Sequence, residues 1–196
     1  MSDPAQRYYK VHAEKFQRDT LNVDMTPLYD RFLPHLPESG HILDAGCGPG
    51  RDGRAFLERG FRITAFDASS VMAKLAEKHI GQPVEVMRFQ DIEWTNRFDG
   101  VWACTSLLHV PRAELPDVLC RLTRTLKSGG VLFASFKYGC GERVDQGRHF
   151  TDLDEDALAL LLDQTDDFQT IETWTSCDLR PGRESNRWLN TLLRSR

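Results

Sequence analysis

The sequence lacks several features that would narrow its chemistry at once. It has no paired-cysteine motif. Its five cysteines, Cys47, Cys104, Cys120, Cys140 and Cys177, are odd in number and widely spaced, with no CxxC. Neither a disulfide framework nor a zinc knuckle fits that spacing, and a reducing cytoplasm is the expected compartment. Long apolar runs are missing too: Leu158 to Leu162 and Val131 to Ala134 fall far short of the roughly 20 residues a membrane helix needs. The first residues are polar and charged, so no secretory leader is expected. There is no basic surplus. The net charge of −4 counts against a generic nucleic-acid footprint. Neither an internal repeat nor a low-complexity tract is present.

What is present is an ordinary globular balance, 196 residues with 40% apolar side chains, enough for one domain with a sizeable core. Short apolar, β-branched or aromatic runs alternate with helix-period stretches. The expected strands are His41–Ala45, Arg62–Asp67, Val84–Phe89, Phe98–Cys104, Gly130–Lys137 and Phe168–Thr173, with Arg187 to Arg196 read as a final strand. Between them, helices are expected at Arg51–Arg59, at Ser70–His79 behind a Ser69 cap, and at Arg112–Leu126. A further helix at Asp152–Leu162 follows Thr151, with Asp154 three residues on in a capping-box pattern. Residues 3–35 read as one or two helices, and residues 139–150 as a polar, glycine-bearing loop. Strand–helix alternation at this pitch predicts an α/β fold: a doubly wound, mostly parallel sheet covered by helices on both faces.

The most informative segment is Asp44-Ala45-Gly46-Cys47-Gly48-Pro49-Gly50, a strand running into glycines with a helix after it. Glycines let a backbone turn tightly and approach a ligand with no Cβ in the way. The spacing is G-x-G-x-G, not the G-x-G-x-x-G of a dinucleotide site. Asp44 stands two residues before the first glycine, where it would repel a pyrophosphate and suit a ligand bearing an ammonium group and a sulfonium. An NAD-dependent oxidoreductase is disfavoured on both counts. The next two expected strands also end near acids, in Phe66-Asp67-Ala68 and Phe89-Gln90-Asp91-Ile92. Asp67 lies about 20 residues past the loop, where a carboxylate can accept from ribose hydroxyls, or can simply cap the next helix.

D-x-G-x-G-x-G after a strand resembles the first motif of the class I S-adenosylmethionine-dependent methyltransferases, and the likeness extends over about residues 40 to 138. It implies a seven-stranded Rossmann-like sheet and S-adenosyl-L-methionine as cofactor. Gly46, Gly48 and Gly50 would then lie against the methionine portion, with Asp44 helping to hold its amino group. Asp67 and Ala68 would sit at the ribose, with Gln90, Asp91 and Ile92 at the adenine. Ala103, Cys104 and Leu107 would pass beside the sulfonium, and Tyr9 would come from an N-terminal lid. The chain is also similar to small bacterial methyltransferases of the tellurite-resistance and small-metabolite type, which carry stretches like Ser106-Leu107-Leu108-His109-Val110-Pro111.

The acceptor is expected to be a small molecule. The fourth strand leads into Ala103-Cys104-Thr105-Ser106, not the N/D/S-P-P-Y/F of DNA amino-methyltransferases. No cysteine follows a proline, as a cytosine-carbon nucleophile would. No carboxylate cluster suggests a metal. His109 is the candidate general base, or else a turn residue before Pro111. Lys137, Arg148, His149 and Arg183 are candidate acceptor contacts, the arginines being otherwise solvated or paired. The whole is read as one domain, 1–196, with a helical lid at 1–36, a cofactor core at 37–138 and an acceptor-side segment at 139–196. It is expected to be a monomer or homodimer with no membrane or nucleic-acid partner. The rival readings are RNA or protein methylation, and cofactor binding without turnover.

Overall fold

The computed structural model describes residues 4–165 and 167–196. The chain opens with two helices, α1 (Pro4–Thr20) and α2 (Thr26–Phe32). It continues β1 (His41–Ala45), α3 (Arg51–Glu58), β2 (Arg62–Asp67), α4 (Ser70–Ile80), β3 (Glu85–Val86), β4 (Phe98–Ala103), α5 (Leu115–Thr125) and β5 (Leu126–Lys137). A hairpin follows, β6 (Gly141–Asp145) and β7 (Arg148–Asp152), then α6 (Glu155–Leu162), β8 (Phe168–Cys177) and β9 (Arg187–Ser195).

Seven strands form one sheet in the order β3-β2-β1-β4-β5-β9-β8. The pairs β1–β2, β1–β4, β2–β3 and β4–β5 are parallel, while β9 runs antiparallel to both β5 and β8. The expected seven-stranded, mostly parallel α/β sheet is thus the observed one. Neighbouring residues in the central strands point to opposite faces, as a pleat requires. Leu43, Val101, Leu132 and Leu193 join the core under α5 and α6. Ile42, Trp102, Phe133 and Leu192 join the core under α2 and α3, where Trp102 stacks on Phe133 at 4.0 Å. Both faces are therefore dry, and the ligand-accessible ground is left at the carboxyl ends of the strands. The winding direction reverses between β1 and β4, which makes that edge the topological switch point.

Four expectations need correction. Residues 139–150 are mostly a β-hairpin, with Arg143 opposite Phe150 and Val144 opposite His149. Gln146 (φ 50°) and Gly147 (φ 75°) supply the two positive φ angles that its two-residue turn demands. The third strand shrinks to Glu85–Val86 at the sheet edge, because the chain then turns into a short 3₁₀ turn at Phe89–Asp91. The helix expected at Asp152–Leu162 starts at Glu155, capped by Asp154, whose carboxylate accepts from Ala157 N–H at 2.8 Å. Thr151 is no cap: it lies in β7, and its hydroxyl donates to the Val110 carbonyl. Finally, the segment read as a lid divides. α1 borders the strand ends, whereas α2 buries Leu28, Tyr29 and Phe32 in the core.

Candidate functional site

A cavity of about 900 Å³ opens at the carboxyl ends of β1, β2, β4 and β5, bounded by α1, the hairpin and the β8–β9 loop. That is near the upper end for small-molecule sites, roughly 300–1,000 Å³, and leaves room for two ligands side by side. Twelve residues singled out from the sequence line it: Tyr9, Gly46, Gly48, Asp67, Ala68, Gln90, Cys104, His109, Lys137, Arg148, His149 and Arg183.

The glycine loop and Asp67 form one unit. The Asp67 carboxylate at the end of β2 accepts from Gly48 N–H at 2.9 Å and from Ser69 N–H at 2.8 Å. Burial pushes this carboxyl up to about 6, with the two N–H bonds pulling the other way. Gly48 has φ +54°, and a Cβ there would touch nothing nearer than the Phe16 ring of α1 at 3.8 Å. The loop backbone is thus bare toward the cavity, as close ligand approach requires. Gly50 differs. Its Cβ would stand 2.8 Å from Ile80, so this glycine serves the packing of α3 against α4.

Six of the expected site residues do not reach the wall. Gly50 is one. Ala103, Leu107 and Ile92 are core side chains, at most 3% exposed. Asp91 turns outward, where it binds the Arg88 guanidinium and backbone N–H and caps its own turn. Gln90, beside it, faces the cavity and donates to Glu114 at 2.7 Å. Asp44 is buried behind the loop, with one carboxylate oxygen lacking a partner. Burial, and then the nearby Asp52, push its carboxyl well above the usual range.

The wall also holds residues that the sequence reading passed over. Asp52 is buried, yet it accepts from Arg51 (2.7 and 2.9 Å), from the Trp102 indole (2.9 Å) and from the Tyr29 hydroxyl. Burial would raise its carboxyl; Arg51 and the hydrogen bonds overcome that and hold it below the ordinary value. Nothing in Arg51-Asp52 at a helix start distinguishes such a pair from a solvated one. On the other side, Asp178 is buried and held below its usual range by Arg180, which binds it through Nε and Nη2, against the upward push of burial. Cys104 is pushed up to about 12, by burial first and Asp52 second, so its thiol is no nucleophile at neutral pH.

His109 sits on the short turn after β4. Its Nδ1 lies 2.7 Å from the His149 carbonyl of β7, and its Nε2 lies 3.2 Å from the Tyr9 hydroxyl of α1. A carbonyl only accepts, so Nδ1 carries the proton, and in the neutral ring Nε2 is the acceptor for the Tyr9 O–H. Burial raises the Tyr9 phenol while Arg148 opposes it, which keeps that hydroxyl a donor. Arg148 in turn lies over the Tyr8 ring at 4.0 Å. These contacts fasten α1 to the hairpin across the cavity mouth. Among the described residues, no group of three His, Cys, Asp or Glu side chains is disposed to hold a metal ion.

Comparison with known proteins agrees with this architecture. The family model described as a methyltransferase domain matches residues 42–130. A malonyl-[acyl-carrier protein] O-methyltransferase of Enterobacter lignolyticus is 32% identical over 131 residues, 64% of this chain and 47% of that protein. The chain spans about half the length of the first curated relatives it matches. Among solved structures, a Burkholderia thailandensis 1,6-didemethyltoxoflavin-N1-methyltransferase with bound 1,6-didemethyltoxoflavin and S-adenosylhomocysteine superposes with a TM-score of 0.79 at 22% identity. The match covers 98% of this chain and 87% of that one. A TehB-like methyltransferase from Corynebacterium glutamicum gives 0.71 at 18% identity, covering 95% and 100%. Residues 42–130 thus match a methyltransferase domain, and the whole chain has the Rossmann-like fold of these methyltransferase structures.

Proposed function

We propose that the chain transfers a methyl group from S-adenosyl-L-methionine to a small-molecule acceptor. The observation that carries the reading is the Asp67 carboxylate beside the bare Gly48 backbone, at the switch point of a doubly wound sheet. The residues present fit that cofactor. Gly48 admits its methionine end against the backbone, Gly46 lets the loop pack on Ser106 beside it, Asp67 accepts from both ribose hydroxyls, and Ala68 and Gln90 flank the adenine. Asp44 and Ile92 act from behind this surface, Asp44 by supporting the loop, whereas Asp91 faces away from it on Arg88. When bound, the cofactor supplies an electrophilic methyl group on a sulfonium. The chain positions the two reactants and excludes water. Tyr9 and Phe16 of α1 cover the cavity, so α1 (Pro4–Thr20) works as the lid. Lys137, Arg148, His149 and Arg183 form the acceptor side. Where the acceptor must lose a proton, His109 takes it on Nε2 after the Tyr9 hydroxyl gives way, and the His149 carbonyl stabilises the imidazolium through Nδ1–H.

Calorimetric titration with S-adenosylmethionine, S-adenosylhomocysteine and NAD tests this. Binding of the first two and none of the third is expected; tight NAD binding without the others would overturn the reading. In an acceptor screen followed by S-adenosylhomocysteine release, His109→Gln should lower kcat by about 100-fold or more with cofactor affinity retained. An unchanged kcat removes the base role.

A further inference from the structure

The half of the cavity away from Asp67 is rich in cations. Lys137 comes from the end of β5, Arg143 and Arg148 from the hairpin, and Arg180 and Arg183 from the β8–β9 loop. Two carboxylates share that wall, Asp145 and Asp178. Two of the four arginines are already engaged in ion pairs. Arg180 is bound to Asp178. Arg143 is bound to Asp152, outside the cavity, and lies on the Phe150 ring.

Lys137 is not engaged in that way. It is half-buried, and among the described residues no carboxylate lies within ion-pair distance of its ammonium. Its ammonium lies over the ring of Trp188, its neighbour across the β5–β9 ladder, 4.4 Å away. Burial lowers its pKa, as do Arg180, Arg143 and Arg183, against the pull of Asp178. Among these charges Asp178 acts most strongly on the ammonium, with the three arginines opposing it. A half-buried ammonium with no carboxylate in contact is costly unless something completes it. Two further polar atoms in the cavity walls are also incomplete. Arg148 Nε is buried with no acceptor, and Asn190 Oδ1 is buried with no donor. The Asn190 amide N–H groups are committed to Ser176 Oγ at 2.9 Å and the Trp174 carbonyl, which fixes Oδ1 as the free end.

We propose that the acceptor carries an anionic group, carboxylate or phosphate, that docks on Lys137 within reach of Arg183. Its body lies against Trp188 and gives an N–H or O–H to Asn190 Oδ1. A charge-assisted bond to a half-buried ammonium is the strong kind, and the aromatic face beside it suits a flat molecule. The methyl-transfer reading enters only in calling this molecule the acceptor; the anion site rests on the side chains themselves.

The test uses benzoate, phenyl phosphate and benzamide, three flat probes that differ in charge. Each is titrated by ligand-observed NMR into the full chain, with and without S-adenosylhomocysteine. One or both anions should bind at least about tenfold more tightly than benzamide, and the stronger of the two identifies the group. Lys137→Met should erase that preference, and Arg183→Gln, on an exposed loop, should narrow it about threefold. Equal binding of benzamide, no binding of any probe, or a preference that survives Lys137→Met overturns the proposal. Should Lys137→Met fail to fold, an unchanged preference in Arg183→Gln decides against it. Cofactor binding is read separately on the same samples. Loss of S-adenosylhomocysteine binding would break the methyl-transfer reading and still leave the anion comparison decisive.

Discussion

Asp67 holds a carboxylate in a position where its protonation matters. Burial raises it to about 6, because two backbone N–H bonds replace only part of the water it has lost. A carboxyl raised in the folded state binds its proton more tightly there. Its contribution to stability is therefore full at acid pH, below the unfolded value, and is lost as pH rises through about 6. Ligand binding has the opposite sign. Ribose hydroxyls donate to the ionised form, so a bound nucleoside favours the carboxylate. Affinity for S-adenosylhomocysteine should then be flat above about pH 6.5 and fall by up to about tenfold per pH unit below 6. Calorimetry between about pH 5 and 8 checks this. Asp67→Asn should flatten the profile, and Asp67→Ala should weaken binding by about 1–3 kcal/mol at neutral pH. A wild-type profile that stays flat through pH 5 would remove Asp67 from the ribose.

The element α6 separates two residues that the sequence alone interchanges. Thr151 and Asp154 both precede an apolar run, and either can cap it. Thr151 is spoken for, since the hairpin strand β7 carries it to the Val110 carbonyl. Asp154→Ala should therefore cost about 0.5–2 kcal/mol and speed amide exchange in the first turn of α6. Thr151→Val should destabilise the Val110 turn and leave α6 exchange unchanged. Faster α6 exchange in Thr151→Val would reverse the assignment. The same contrast explains what could be read in advance. β1, β2 and β4 were legible because each carries a short apolar core, Ile42-Leu43, Ala65-Phe66 and Val101-Trp102-Ala103, between helix-period stretches, and Asp67 was legible because its place follows from the glycine loop. The hairpin was not, since its Gln146-Gly147 turn lacks the Asn-Gly or Asp-Gly signature and its strands are polar. Asp52 was not, since its partners Tyr29 and Trp102 lie 23 and 50 residues away along the chain. Asp91 pointed outward for a local reason, as its neighbour Arg88 captured it. Local patterns located the strand ends, and long-range packing decided which side chains there face the cavity.

For the molecule as a whole, the cavity is where otherwise separate parts meet. The sheet ends are fixed by two dry cores, whereas α1 is tied on by Tyr9–His109 and by Tyr8–Arg148 to the hairpin, and the hairpin by His109–His149, Thr151–Val110 and the buried Phe150 ring. Isolated hairpins and single helices are marginal in water, so these two should open more readily than the sheet. A ligand that fills the space beneath them binds the closed state alone, and its binding energy becomes folding energy. S-adenosylhomocysteine at about a hundred times its Kd should stabilise the fold by about 2.7 kcal/mol, which for a chain of this size is roughly 5–10 °C in Tm. Hydrogen exchange under native conditions locates the effect. Amides of α1 and of β6 and β7 should gain protection at times when those of α5 and β4 are already slow in the free protein. A rise in Tm with unchanged exchange in α1 would mean that the ligand sits on the sheet ends without closing the helix over them, and the lid role of α1 would fall.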